Sequence, residues 1–283
     1  MKVPKRIVPL VAEGLVDEVV RQLISGKEAT VYVVRCGEDV RCAKVYKEAT
    51  QRSFHQAVAY QEGRRVKNSR QARAMEKGSR YGKKMAEEVW QNAEVDALYR
   101  LATAGVRVPT PYICFEGVLL MELITGIDGN AAPRLHDLVL TRQEALDLHA
   151  ELLKQIVLML IAGVIHGDLS EYNILVDANG PVIIDLPQAI DAAGSSVASA
   201  MLERDVDNLA RFFAKDVPEL IHAQYGKEIW ALYESGQLTV DTPLTGRVAE
   251  SKRIVNVQDV IEEIALAREE RETEARRRAE MQS

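Results

Sequence analysis

Ile165-His166-Gly167-Asp168-Leu169-Ser170-Glu171-Tyr172-Asn173-Ile174-Leu175-Val176 is followed, after a short gap, by Val182-Ile183-Ile184-Asp185. The order is a carboxylate, an amide five residues on, a strand-turn-strand, and a second carboxylate closing the return strand. Taken singly, Asp168 reads as a cap and Asn173 as a turn residue. Together they make the donor set of a phosphate-and-magnesium site. Asp168 can orient a hydroxyl and take its proton, Asn173 offers a neutral oxygen to Mg²⁺, and Asp185 supplies the anionic oxygen that holds the metal across two phosphates.

The surrounding chain predicts a strand-rich lobe followed by a helical one. Val31 to Val34 and Ala43 to Tyr46 are β-branched and aromatic runs around the turn-like Cys36-Gly37-Glu38-Asp39. Tyr112 to Phe115 and Val118 to Leu123 flank Glu116-Gly117 as a second hairpin. Between the hairpins, Val89, Trp90, Ala93, Ala97, Leu98 and Leu101 keep a helical rhythm that stops at Gly105. Beyond Pro133 the pattern turns helical, with a long helix over 142–162 ending at Gly163 and another predicted over 257–282.

The 283 residues suffice for two closely packed lobes, and 47% apolar and 28% charged residues are ordinary for a globular protein. No run approaches the roughly 20 apolar residues of a membrane span, and no secretory signal is readable at the start. Cys36, Cys42 and Cys114 have no metal-ligand spacing; the first two read as buried small hydrophobes, and a cytoplasmic, reducing location is expected. A net charge of −6 argues against a surface that binds nucleic acid throughout, though not against a local basic patch.

The first lobe supplies complements to the carboxylate trio. Lys44 sits inside Cys42-Ala43-Lys44-Val45-Tyr46, where a phosphate-binding lysine would project into a cleft, and Glu94 on the following helix is its candidate partner. In Ile24-Ser25-Gly26-Lys27-Glu28-Ala29-Thr30 a single glycine allows close backbone approach, while Ser25 and Lys27 can donate to phosphate. This is not a Walker loop, which needs an earlier glycine.

These motifs, with Met121-Glu122-Leu123-Ile124 and Arg204-Asp205-Val206, resemble the RIO family of atypical serine/threonine kinases, closest to its RIO1 branch, from about Leu23 to Phe213. The resemblance implies an α+β, bilobal protein-kinase-like fold with a reduced activation segment. Its parts would be an N-terminal extension (1–20), an N-lobe (21–124) with a basic flexible insertion (50–84), a C-lobe (125–235) and a charged helical tail (236–283). It implies ATP and Mg²⁺ as cofactors, with Mn²⁺ as an alternative metal, and transfer to Ser/Thr hydroxyls including the chain's own. Asp168 would be the catalytic acid/base, Lys44 the phosphate contact, Asn173 and Asp185 the metal ligands, and Met121 the gate before a hinge where Glu122 and Ile124 meet adenine. Asp185 could also accept phosphate in an ATPase-like cycle. One departure is Leu186-Pro187-Gln188, where Val-Ser-Gln is more usual.

Two other readings share parts of the pattern: a small-molecule kinase of the aminoglycoside or choline type, and a pseudokinase scaffold. The strand-lobe motifs oppose the first, and the presence of Lys44, Asp168, Asn173 and Asp185 opposes the second. The insertion holds Arg52, Arg64, Arg65, Lys67, Arg70, Arg73, Lys77, Arg80, Lys83 and Lys84 against Glu62 and Glu76. Its plain reading is a solvated loop; its sharper one is an arm (52–84) for RNA or a ribosomal particle, with Ser53, Ser69 and Ser79 within reach of autophosphorylation.

Overall fold

The computed structural model describes residues 2–47, 93–193 and 195–248. The basic insertion with its three serines and the helix expected over 257–282 lie outside the described residues.

Strands β1 (Glu18–Ser25), β2 (Ala29–Cys36), β3 (Asp39–Tyr46), β4 (Pro111–Phe115) and β5 (Val118–Glu122) form one antiparallel sheet in the order β1-β2-β3-β5-β4. The β4–β5 turn takes positive φ at both Glu116 (46°) and Gly117 (75°), the twist a two-residue hairpin requires. Strand alternation then sorts β3. Ala43 and Val45 face one side with their partners Leu120 and Val118, and Lys44 faces the other, opposite Leu119.

The Ala43–Val45 side is covered by the start of the chain. Helix α1 (Val8–Ala12) and its flanks bury Ile7, Leu10, Val16 and Val19 against Val34, Val45 and Leu120. A boundary at residue 20 falls inside β1, and Ile7, Leu10, Val16 and Val19, which precede it, belong to the core of the N-lobe. On the Lys44 side lies helix α2, described over 93–103, whose Val95, Leu98 and Leu101 join Tyr46 and Leu119 in the main apolar cluster.

Helices α3 (Arg142–Ile161), α4 (Ala198–Phe213) and α5 (Tyr225–Glu234) form the C-lobe. Helix α3 opens on a capping box between Thr141 and Glu144 and stops before Gly163, whose φ of 73° suits glycine. Two short antiparallel ladders sit on it: β6 (Val164–Ile165) with β9 (Ile190–Asp191), and β7 (Ile174–Asp177) with β8 (Gly180–Ile183). Residues 236–248 are not helical, unlike the tail expected from 236. They fold back on the lobe, where the Glu228 carboxylate accepts the N–H groups of Thr245 (2.9 Å) and Gly246 (2.7 Å).

The architecture is α+β and bilobal, a sheet with one packed helix followed by a helical lobe. Among the described residues, no helix is long and apolar enough to cross a membrane. All three cysteines are free; Cys42 is buried, but Cys36 is only half-buried and Cys114 is exposed.

Candidate active site

Between the lobes, the Lys44 Nζ donates to Glu94 Oε1 at 2.5 Å and to Asp185 Oδ1 at 2.8 Å. Pairing across β3 turns Lys44 away from the α1 face, and α2 brings Glu94 over it. Lys44 and Glu94 are 8% and 4% exposed, so the ion pair is sheltered from water. Burial alone would lower the Lys44 pKa, but the Glu94 and Asp185 carboxylates hold it above its ordinary value. Asp185 responds in the opposite sense: burial would raise it, and the charge and hydrogen bond of Lys44 hold it below the usual carboxylate range. A cationic lysine thus ties strand, helix and the second carboxylate into one unit.

The two ladders position the carboxylate-amide-carboxylate trio. In β7–β8, Ile174 faces Ile183, and the Ile184 N–H donates to the Asn173 carbonyl at 2.9 Å, so the residues flanking the hairpin come together at its open end. Asp185 lies just past β8 with φ 68°, a left-handed conformation that short Asp tolerates better than most side chains. The Asn173 Nδ2 donates to the Asp168 carbonyl at 2.8 Å, which closes the loop and leaves Oδ1 as an acceptor. His166, 2% exposed, reaches across to the Ile184 carbonyl at 3.1 Å. Burial pushes the Asp168 pKa up, with His166 and Arg204 opposing and Asp185 adding to the rise.

Helix α4 holds this loop from below. Asp205 Oδ2 accepts the Gly167 N–H at 2.7 Å and Oδ1 accepts the Leu169 N–H at 3.0 Å, bracketing Asp168. Arg204 donates to the Gly167 carbonyl, and Asn208 donates to that of Leu169 at 3.0 Å. Burial raises the Asp205 pKa to about 6 despite these bonds. The sequence marked Arg204-Asp205-Val206 only as a motif. Its signal was a carboxylate on the apolar face of an amphipathic helix, between Met201, Leu202 and Val206, Leu209.

The remaining expected residues lie on the β1–β2 turn and on and just beyond β5. Ser25, Gly26 and Lys27 form the β1–β2 turn, closed by Gly26 N–H to Ala29 carbonyl at 2.9 Å and tied down by Lys47, whose Nζ reaches the Gly26 carbonyl at 2.5 Å. Among the described residues a Cβ on Gly26 would meet only Ala29 O, at 3.6 Å, so none of them requires glycine there. That absence of internal crowding fits a backbone kept bare for an outside group. Met121 pairs with Cys42, Glu122 with Arg41, and the Glu122 side chain caps Thr110 N–H at 3.0 Å. The Ile124 carbonyl accepts from Ala132 at 2.9 Å, while among the described residues its N–H has no acceptor, although Ile124 is only 6% exposed.

The donor chemistry fits a hard divalent cation shared with phosphate oxygens. Asn173 Oδ1 and the Asp185 carboxylate are oxygen donors of the kind Mg²⁺ takes, one or two of them beside phosphate oxygens. Among the described residues no cluster of three His, Cys, Asp or Glu could cage a metal unaided.

Three comparisons agree. The RIO domain profile matches residues 30–225. The RIO-type serine/threonine-protein kinase Rio1 of Haloferax volcanii is 32% identical over 211 residues, spanning 74% of this chain and 68% of that protein. The human serine/threonine-protein kinase RIO1 is 29% identical over 208 residues, but this chain spans only 35% of its length. Among solved structures, the Rio2 kinase of Chaetomium thermophilum, in an ADP/Mg²⁺-phosphoaspartate complex, superposes with a TM-score of 0.53 at 22% identity, covering 82% of this chain and 70% of that one. With a five-stranded N-lobe, a Lys44–Glu94 pair and the Asp168, Asn173 and Asp185 loops in the matched region, the chain belongs to the RIO family of serine/threonine-protein kinases.

Proposed function

We propose that this chain transfers the γ-phosphoryl group of ATP to Ser/Thr hydroxyls, its own among them, in a Mg²⁺-dependent reaction. The observation that carries this is Lys44 held between Glu94 and Asp185, at the mouth of the loop bearing Asp168 and Asn173. The Ile124 N–H and the flanking hinge carbonyls would receive the adenine edge, and the bare backbone at Gly26 with Ser25 and Lys27 would cover the phosphates. Lys44 would donate to phosphate oxygens, its geometry set by Glu94. Asp168 would accept the proton of the substrate hydroxyl as that oxygen bonds to phosphorus and ADP departs with its bridging oxygen. Mg²⁺, held by Asn173 and Asp185, would neutralise charge on the phosphates.

A second reading concerns Asp185 itself. Its side chain is 47% exposed, and the Chaetomium Rio2 kinase was solved with a phosphoaspartate. Attack by the Asp185 carboxylate on the γ-phosphorus, releasing ADP, would give an acyl phosphate that water hydrolyses. Family membership weighs against the aminoglycoside- or choline-type alternative.

The test is chemical analysis of label from γ-³²P-ATP with Mg²⁺, on the chain alone and with a generic protein substrate. Acid-stable phosphoserine or phosphothreonine is expected. Label removed by hydroxylamine, with steady phosphate release, would favour the aspartyl route. Label appearing only on an added small alcohol, or nucleotide bound and never turned over, would overturn the proposal.

A further inference from the structure

The connection from Asp185 to β9 is short, and it ends beside the catalytic loop. Asp185-Leu186-Pro187-Gln188-Ala189 turns with an Ala189 N–H to Leu186 carbonyl bond of 3.1 Å and enters β9, which pairs with β6 immediately before His166. Leu186, Pro187 and Ala189 are buried, so the backbone around Gln188 is anchored on both sides. Its carbonyl presses on the residue preceding Asp168: a Cβ on Gly167 would stand 2.6 Å from the Gln188 oxygen. From that fixed position the side chain reaches Asp168, with Nε2 to Oδ2 at 3.2 Å. Among the described residues, no other hydrogen bond reaches the Asp168 carboxylate.

We infer that Gln188 is a positioning residue for Asp168, fixing one carboxylate oxygen so that the other is presented to the incoming hydroxyl. A carboxylate with no partner turns about its last torsion, and only some orientations aim a lone pair at the substrate proton. A single anchored donor removes that freedom. A lysine or arginine could do the same, but its charge would lower the basicity of the group it orients; a neutral amide orients with little such effect. The shortness of the segment is what brings Gln188 there, since a long insertion between Asp185 and β9 would leave that anchor without a defined place.

This inference rests on Asp168 being the base in the proposed reaction, and the experiment separates the two. Gln188→Ala, Gln188→Met, Gln188→Glu and Asp168→Asn are compared with wild type for kcat, for KM of ATP and for melting temperature. Gln188→Met keeps length and bulk without a donor, which guards against an alanine variant that fails to fold. Loss of the donor is expected to lower kcat on the order of 10-fold with KM for ATP unchanged, the scale of a misoriented catalytic group. Gln188→Glu, the same size but a like charge against Asp168, is expected to lower kcat further. Wild-type kcat in both Gln188→Met and Gln188→Glu would overturn the inference, as would a loss confined to KM for ATP. If Asp168→Asn retains the wild-type rate, the base assignment itself has failed; if it is inactive while the Gln188 variants are not, only the positioning role falls.

Discussion

Lys44 carries two functions in one side chain. It is the buried partner of Glu94 and the contact that pulls Asp185 toward the N-lobe, at 2.5 and 2.8 Å. Replacing it with a neutral residue leaves Glu94, 4% exposed, without its cation. Removing one member of a buried pair costs about 3 kcal/mol or more, because the remaining charge stays desolvated. Lys44→Met is therefore expected to lower the unfolding free energy from urea titration by that order and also to abolish tight nucleotide binding. Glu94→Gln, which keeps a hydrogen-bond acceptor, is expected to lose less stability. At this scale the sequence was informative where the chemistry is unusual. The Asp-Asn-Asp spacing is hard to explain otherwise, whereas Lys44 alone reads as an ordinary outward-facing strand lysine and Glu94 as a commonplace helical Glu; the structure brings Lys44, Glu94, Asp168, Asn173 and Asp185 close together. Gln188 gave no such signal, because its partner is 20 residues away and set by a two-residue ladder.

The elements act by holding loops rather than by lining a pocket. The β6–β9 ladder, the β7–β8 hairpin and Asp205 of α4 fix three sides of the catalytic loop. Gly167 is where they converge: φ is 79°, and an added Cβ would lie 2.6 Å from both the Gln188 oxygen and Met201 Cε. The methionine tip can move, but the carbonyl cannot move without shifting the turn that follows Asp185. Gly167→Ala is expected to cost about 3 kcal/mol, combining the left-handed backbone and the overlap, and to reduce turnover by displacing Asp168. A denaturant titration beside a rate measurement checks both. Hairpins and the long helix were readable because period and turn residues are local signals. The clamp by Asp205 depends on contacts 36 and 38 residues apart, which no local pattern encodes.

At the largest scale, Ile7, Leu10 and Val16 cover one face of the sheet and residues 236–248 fold back on the helical lobe, and neither role was readable from composition. Short apolar words such as Ile7 and Leu10 reveal nothing until the sheet they cover is known. The core also sets a pH limit. His149 of α3 is 3% exposed, packs edge-on to Phe213 at 5.5 Å, and its Nε2 has no partner among the described residues. Burial pushes its pKa down to about 4. The folded chain keeps it neutral while the unfolded chain protonates it near its ordinary value. Stability from this group is thus full above pH 6.5 and lost as pH falls toward 4, by roughly 3 kcal/mol across the window. His149→Phe is expected to flatten that part of the stability profile measured by urea unfolding.

The proposed function makes Asp168 the base of a phosphoryl transfer from Mg²⁺-bound ATP. The most direct measurement is the rate of γ-phosphoryl transfer by Asp168→Asn, taken beside its affinity for the Mg²⁺–nucleotide complex. The rate is expected to fall by a factor on the order of 10² to 10⁴ while affinity changes little, since the carboxylate acts on the hydroxyl and not on the nucleotide. An Asp168→Asn chain that transfers phosphate at the wild-type rate would contradict the base assignment.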